Sequence, residues 1–165
     1  MFITKPVQDA INEQIKDELY SAYLYLAMSA HFEVEGFPGF AVWTRGQAEE
    51  EVEHAMKLFD YVNERGGRVA LQAIDQPPLE WGTPLEIFES ILEHEQKVTG
   101  LIHRLYEISL QEKDYATQVM LHWFIDEQVE EEDNAGSMVD QLKMVKDHKA
   151  ALYHLDQQAG KRQTE

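Results

Sequence analysis

The sequence predicts an all-α fold: four long helices packed as a bundle, with one long crossover connection and a short fifth helix near the C-terminal end. Three observations carry that expectation. Apolar residues recur at spacings of three, four and seven almost throughout the 165 residues, which is the period of one helix face. Proline is confined to Pro6, Pro38, Pro77, Pro78 and Pro84, none inside a long periodic segment where it would break the backbone ladder. One stretch between two such segments is too long for a tight turn between antiparallel neighbours.

The elements follow in chain order. The first helix, α1, is predicted over 6–34 and ends at Gly36-Phe37-Pro38-Gly39, a breaker cluster that turns the chain. Next comes α2, over 40–65, stopped by Gly66-Gly67. The crossover occupies 66–83. A helix of about 28 residues is about 42 Å long, and about 17 extended residues reach roughly 56 Å at about 3.3 Å each. The crossover can therefore span the whole bundle and make α2 parallel to the helix after it, an up-down-down-up arrangement. That helix, α3, is predicted over 84–111. Thr83 and Glu86 form a capping box at its start, and Pro84 takes its first position. The fourth, α4, is placed over 114–146, although neither Gly nor Pro marks the break before it. Last is α5, over 148–158, with an apolar set of Ala151, Leu152 and Leu155. A helix that short is marginal alone in water and must dock on something. The whole of 1–165 reads as one domain.

Composition narrows the function. There is no cysteine, which excludes disulfides, thiolate catalysis and Cys-ligated zinc or iron–sulfur sites. Net charge is −17, from 31 Asp and Glu against 14 Lys and Arg. Nucleic acid and anionic membrane surfaces are poor partners for such a chain, and metal cations are better ones. The first residues lack the apolar core of a signal peptide. The most apolar stretch, 22–30, is too short to span a bilayer. A cytoplasmic protein is expected.

Glutamates fall on the predicted core faces. The α1 stripe reads Ile11, Ile15, Glu18, Ala22, Tyr25, Ser29, and that of α2 reads Phe40, Gln47, Glu51, His54, Leu58, Val62. On α3 it is Phe88, Ile91, Glu95, Thr99, Ile102, Tyr106, and on α4 Leu121, Phe124, Gln128, Glu131, Ala135, Leu142. Burying an ionised carboxylate costs several kcal/mol unless it is paired, and no Lys or Arg lies on any of these stripes. Protonation would neutralise the group but fill a core poorly. Two divalent cations would balance Glu18, Glu51, Glu95 and Glu131. All four lie near mid-helix, so antiparallel packing brings them to one height. Glu51-x-x-His54 sets a carboxylate and an imidazole one turn apart on the same face. Helices produce such a pair by chance, so its weight comes from the glutamates on the other three.

Several runs carry a resemblance: Tyr20-Ser21-Ala22-Tyr23-Leu24-Tyr25-Leu26 after Glu18, Glu50-Glu51-x-x-His54-Ala55, Phe59-x-Tyr61-Val62-x-Glu64-Arg65-Gly66-Gly67, His94-Glu95, and Glu127-Gln128-Val129-Glu130-Glu131. Through them the chain resembles the non-haem ferritins, especially the prokaryotic ones, over nearly its whole length. The resemblance implies the ferritin-like bundle topology and a ferroxidase centre holding two irons per subunit. Glu18 and His54 would ligate one iron, Glu51 would bridge, and Glu95 and Glu131 would hold the second with Gln128 beside it. Tyr25 would be the tyrosine of the site. Glu50, Glu127 and Glu130 match a third iron position, and on the wheel they point off the core stripe, as an accessory site would require. A solvated acidic face explains those three as well. Bacterioferritins differ in carrying a second Glu-x-x-His and a haem methionine after the α2 glutamate. Here Gln128, Glu131 and Val52 stand at those places, so no haem is expected.

The same resemblance implies oxidation of Fe(II) by O2 or H2O2 and deposition of ferric mineral inside a homo-oligomeric shell of 24 subunits. The outward faces of α2 and α4, which would line its cavity, carry Glu53, Asp60, Glu64, Asp126, Glu130, Asp133 and Asp140. Two other functions fit less of the pattern. One is a rubrerythrin-like di-iron peroxidase or oxidase, which without cysteine would need an external electron donor. The other is a metal-free acidic helical interaction protein, which leaves the buried carboxylates unexplained.

Overall fold

A computed structural model describes residues 2–161; the two ends of the expected domain, residue 1 and 162–165, lie outside the described residues. Five helices follow one another: α1 Lys5–Glu35, α2 Pro38–Glu64, α3 Pro84–Gln111, α4 Tyr115–Val145 and α5 Lys149–Ala159. The signals at their ends are local. Gly36 adopts φ 80° and stops α1 in a left-handed cap, a conformation that costs glycine nothing. The Thr83–Glu86 capping box is formed in both directions. Between α3 and α4 the turn uses Lys113 at φ 56°, and the Asp114 side chain accepts from the Thr117 amide to cap α4. A lysine in a left-handed turn gives little warning in sequence, so this break carried no glycine signal.

Two apolar clusters fill the bundle, one at each end. Late α1 (Met28, Phe32), early α2 (Phe40, Trp43), early α3 (Phe88, Ile91) and late α4 (Met138, Leu142) share the first. Early α1 (Val7, Ile11), late α2 (Leu58, Val62), late α3 (Ile102, Leu105) and early α4 (Leu121, Phe124) share the second. This grouping makes α2 and α3 parallel to each other and antiparallel to α1 and α4. The four-helix bundle with a full-length crossover and a short fifth helix is therefore the fold. On α3 the buried seam is Phe88, Ile91, Glu95, Val98, Ile102, Leu105 and Ser109. It alternates steps of three and four, the knobs-into-holes repeat of a bundle. The expected stripe had instead placed Thr99 and Tyr106 there; both are half-buried.

The crossover is tied down along α1. Buried Asn12 donates from Nδ2 to the Arg68 carbonyl at 3.1 Å and accepts at Oδ1 from the Ala70 amide at 3.0 Å. Gln8 Oε1 accepts from the Arg68 amide at 2.8 Å. Val69 packs on one apolar cluster and Trp81 on the other, so the segment runs from end to end. The short α5 docks where α2 begins. Asp156 Oδ1 accepts from the Phe40 amide at 2.8 Å, filling a donor left open at that helix start. A β-carbon on Gly39 would sit 1.6 Å from the Asp156 carbonyl oxygen, so only glycine permits that approach. No described helix is long and apolar enough to cross a membrane.

Candidate metal centre

Between the two apolar clusters lies a band of buried polar residues. Glu18 is 1% exposed, Glu51 1%, Glu95 1%, Glu131 3% and His54 4%. All four carboxylates thus sit in the core, one from each long helix. The helical seam puts them there: Glu18 follows Ile15 and Glu95 follows Ile91 by one turn, and Glu51 and Glu131 lie on the same buried faces as Leu58 and Leu121.

His54 faces carboxylates at both ring nitrogens. Its Nδ1 lies 3.4 Å from Glu51 Oε2 and 3.9 Å from Glu18 Oε2, and its Nε2 lies 3.7 Å from Glu127 Oε1. Donors bound about 2.0–2.2 Å from a first-row divalent ion lie no more than roughly 4.4 Å apart. Glu18, Glu51 and His54 therefore fit around one cation with little movement. A second group, His54, Glu127 and Glu131, likewise brings its ligand atoms within 4.8 Å of one another. Trp123 and Phe124 stand edge-on to the imidazole, with centroids 5.3 and 6.1 Å away.

Neutral donors satisfy part of this charge. Gln14 Nε2 donates to Glu18 Oε1 at 2.9 Å and Gln47 Nε2 to Glu131 Oε2 at 2.6 Å. Tyr25, fully buried, donates its hydroxyl to Glu95 Oε1. Gln128 Nε2 lies 3.2 Å from Glu95 Oε2. What remains is decisive: Glu18 Oε2 and Glu51 Oε2 are buried with no hydrogen-bond partner. An orphaned buried carboxylate oxygen is costly, and two of them facing the same imidazole form a donor set that a cation would satisfy.

Proton affinities record the same strain. Burial, followed by the charges of Glu18 and Glu95, raises the Glu51 carboxyl well above its ordinary 4.5. A proton held there can be shared with Glu18. Glu95 is pushed up to about 7, chiefly by burial, with the hydrogen bonds from Tyr25 and Gln128 pulling the other way. The Tyr25 phenol is raised well above 10 by burial and by the Glu95 and Glu51 charges, so it keeps its proton. Next door, His94 is lowered to about 4 by burial and by Lys97. It is therefore neutral and adds no cation to offset the glutamates. Its Nε2 is 2.8 Å from Ser21 Oγ.

The remaining candidates are spread across the flank. Glu50 and Glu127 are half-buried and Glu130 is exposed. Of the three, Glu127 alone belongs to a gathered ligand group. Sequence reasoning did not single out Gln14 or Gln47 as site residues. For Gln14 the available signal was its place four residues before Glu18 on the same helix; Gln47 bonds Glu131 across the bundle, which no spacing within α2 reveals.

Comparison with known proteins agrees with the geometry. Residues 8–145 match the model of a family described as the ferritin-like domain. The bacterial non-heme ferritin of Bacteroides fragilis is 48% identical over 160 residues, covering 97% of this chain and 99% of that protein. That of Staphylococcus aureus is 38% identical over 160 residues, covering 97% and 96%. Among solved structures, the open pore ferritin of the hyperthermophilic archaeon Archaeoglobus fulgidus superposes with a TM-score of 0.96 at 49% identity, covering 98% of this chain and 99% of that one.

Proposed function

The chain belongs to the ferritin family, and from that premise we propose that it stores iron by oxidising it at the buried centre and depositing the ferric product within a closed shell. The observation that carries the reading is the orphaned pair, Glu18 Oε2 and Glu51 Oε2, beside His54 in a core with carboxylates from all four long helices. In this reading Glu18, Glu51 and His54 hold one Fe(II). Glu51, Glu95 and Glu131 hold the other, with the Gln128 amide beside it. Hard oxygen donors favour the ferric product, and one imidazole favours iron over magnesium. Each iron gives one electron. With O2 the balance is two Fe(II), one O2 and two protons to two Fe(III) and one H2O2. With H2O2 as oxidant, the product is two waters. Protons that Glu51 and Glu95 carry in the metal-free site leave as iron enters. Tyr25 holds Glu95 in place through its hydroxyl. The flank carboxylates Glu50, Glu127 and Glu130 form an accessory position on the way out.

Storage needs an enclosed volume, and one bundle encloses none. Exposed apolar side chains support assembly: Tyr23, Leu26 and Val34 on α1, with Leu71 and Leu79 on the crossover, are all exposed in the single subunit. We assign 24 subunits to the shell and the cytoplasm as its compartment. Glu53, Asp60, Glu64, Asp126, Glu130, Asp133 and Asp140 are all exposed and give the cavity side its negative charge. Rapid mixing of metal-free protein with Fe(II) in air tests the chemistry. A fast absorbance rise is expected in the wild type and its loss in Glu51→Ala and His54→Ala. A fast phase that survives both substitutions would place the oxidation elsewhere. Continued mineral growth after the first turnovers distinguishes storage from a peroxidase that merely recycles its irons.

A further inference from the structure

One run of hydrogen bonds leaves the centre and ends on a carboxylate that the chemistry above does not use. Gln128 Nε2 lies 3.2 Å from Glu95 Oε2, 3.3 Å from the Glu95 main-chain oxygen and 3.3 Å from Thr99 Oγ1. Thr99 Oγ1 donates in turn to Glu132 Oε1 at 2.6 Å. A hydroxyl has a single proton. With that proton committed to Glu132, Thr99 can only accept from Gln128. When Glu95 is ionised, as it is once a cation binds, all three neighbours of the Gln128 nitrogen are acceptors, and turning the amide over would set oxygen against oxygen. The orientation matters because an amide binds a cation through its oxygen, while its N–H groups point positive charge at one.

We propose that Thr99 and Glu132 are positioning residues for the α4 side of the centre: they lock the Gln128 amide so that its oxygen is the atom offered to the cation held by Glu95 and Glu131, and thereby set how tightly that cation is kept. The proposal rests on reading Gln128 as a ligand there. The lock is needed most when metal is bound. A Glu95 oxygen taken by a cation is a weaker acceptor for Gln128, whereas the Thr99 hydroxyl and the Glu95 carbonyl oxygen are not drawn away. Both residues are half-buried and neither belongs to a gathered ligand group; Thr99 reaches the cation through Gln128, while Glu132 also adds its charge to the field at Glu95, which makes Thr99 the cleaner probe. The Glu18–Glu51–His54 side, on α1 and α2, is outside their reach.

Zinc titration of the metal-free, full-length protein by calorimetry separates the alternatives. Thr99→Val keeps the shape of the side chain and deletes its hydroxyl. The α4 side has no imidazole and is taken as the looser of the two tightest sites; the variant is expected to weaken that site about tenfold, the lower end for a group behind a ligand, and to leave the tighter site unchanged. Thr99→Ser restores the hydroxyl and should restore the affinity. Glu132→Leu is expected to act as Thr99→Val does, and the double variant to be no weaker than Glu132→Leu alone, since both break one chain. Gln128→Leu is the control for the underlying reading. If it leaves the looser site as it was, Gln128 is no ligand and that reading falls. If it weakens the site while Thr99→Val does not, or if Thr99→Ser binds no better than Thr99→Val, the positioning role is wrong and the ligand role stands.

Discussion

At the scale of single residues, the centre is a conflict that metal resolves. In the metal-free protein Glu95 titrates near 7, against 4.5 for an exposed glutamate, because burial disfavours its charge. Between those two values the folded protein holds a proton that the unfolded chain has released. Its stabilising effect is full below about 4.5 and is lost as pH rises through about 7. Glu51 is shifted in the same direction. The melting temperature of metal-free protein should therefore fall between pH 5 and pH 8, and Glu95→Gln should flatten that slope. With excess divalent metal the trend should reverse, since metal displaces these protons. A metal-free melting temperature that climbs over this range would show the carboxylates to be paired after all. Glu51→Gln removes one buried carboxyl that burial and Glu18 both oppose. At pH 7.5 it is expected to stabilise the metal-free protein by about 0.5–2 kcal/mol, the usual gain from relaxing a functional site, while weakening metal binding. Thermal unfolding with and without zinc checks both halves.

At the scale of the elements, what could be read in the sequence depended on how local its cause was. Thr83, Pro84 and Glu86 announce the start of α3, and Gly36 the end of α1, because caps are settled within a turn. The glutamates were legible too, since a carboxylate on an apolar stripe is conspicuous on a wheel. Thr99 shows the limit: a face read by steps of three and four can drift by one residue, and the heptad seam chose Val98 instead. Contacts across long separations were hidden. Nothing around Asn12 indicates that its side chain would clamp the crossover 56 residues later in the chain. Nor does Gly39 reveal that Asp156 will lie against it. Asn12→Leu would leave the Arg68 carbonyl and the Ala70 amide without their partner. It should cost about 1–3 kcal/mol and quicken protease cleavage in the crossover, measured by denaturant melts and limited proteolysis. Unchanged cleavage would mean that Val69 and Trp81 hold the segment without the clamp.

For the whole molecule, the two apolar clusters work as end caps on a polar layer. Each is closed by all four long helices, so the carboxylates cannot separate without unpacking one end of the bundle. The bundle's packing energy thus keeps like charges together until cations arrive. The direct test is anomalous diffraction from crystals of the assembled protein loaded anaerobically with Fe(II). Two iron peaks about 3.5–4 Å apart are expected inside each bundle, one against Glu18, Glu51 and His54 and one against Glu51, Glu95 and Glu131. Iron found only on the outer acidic faces, with those buried carboxylates bare, would contradict the account.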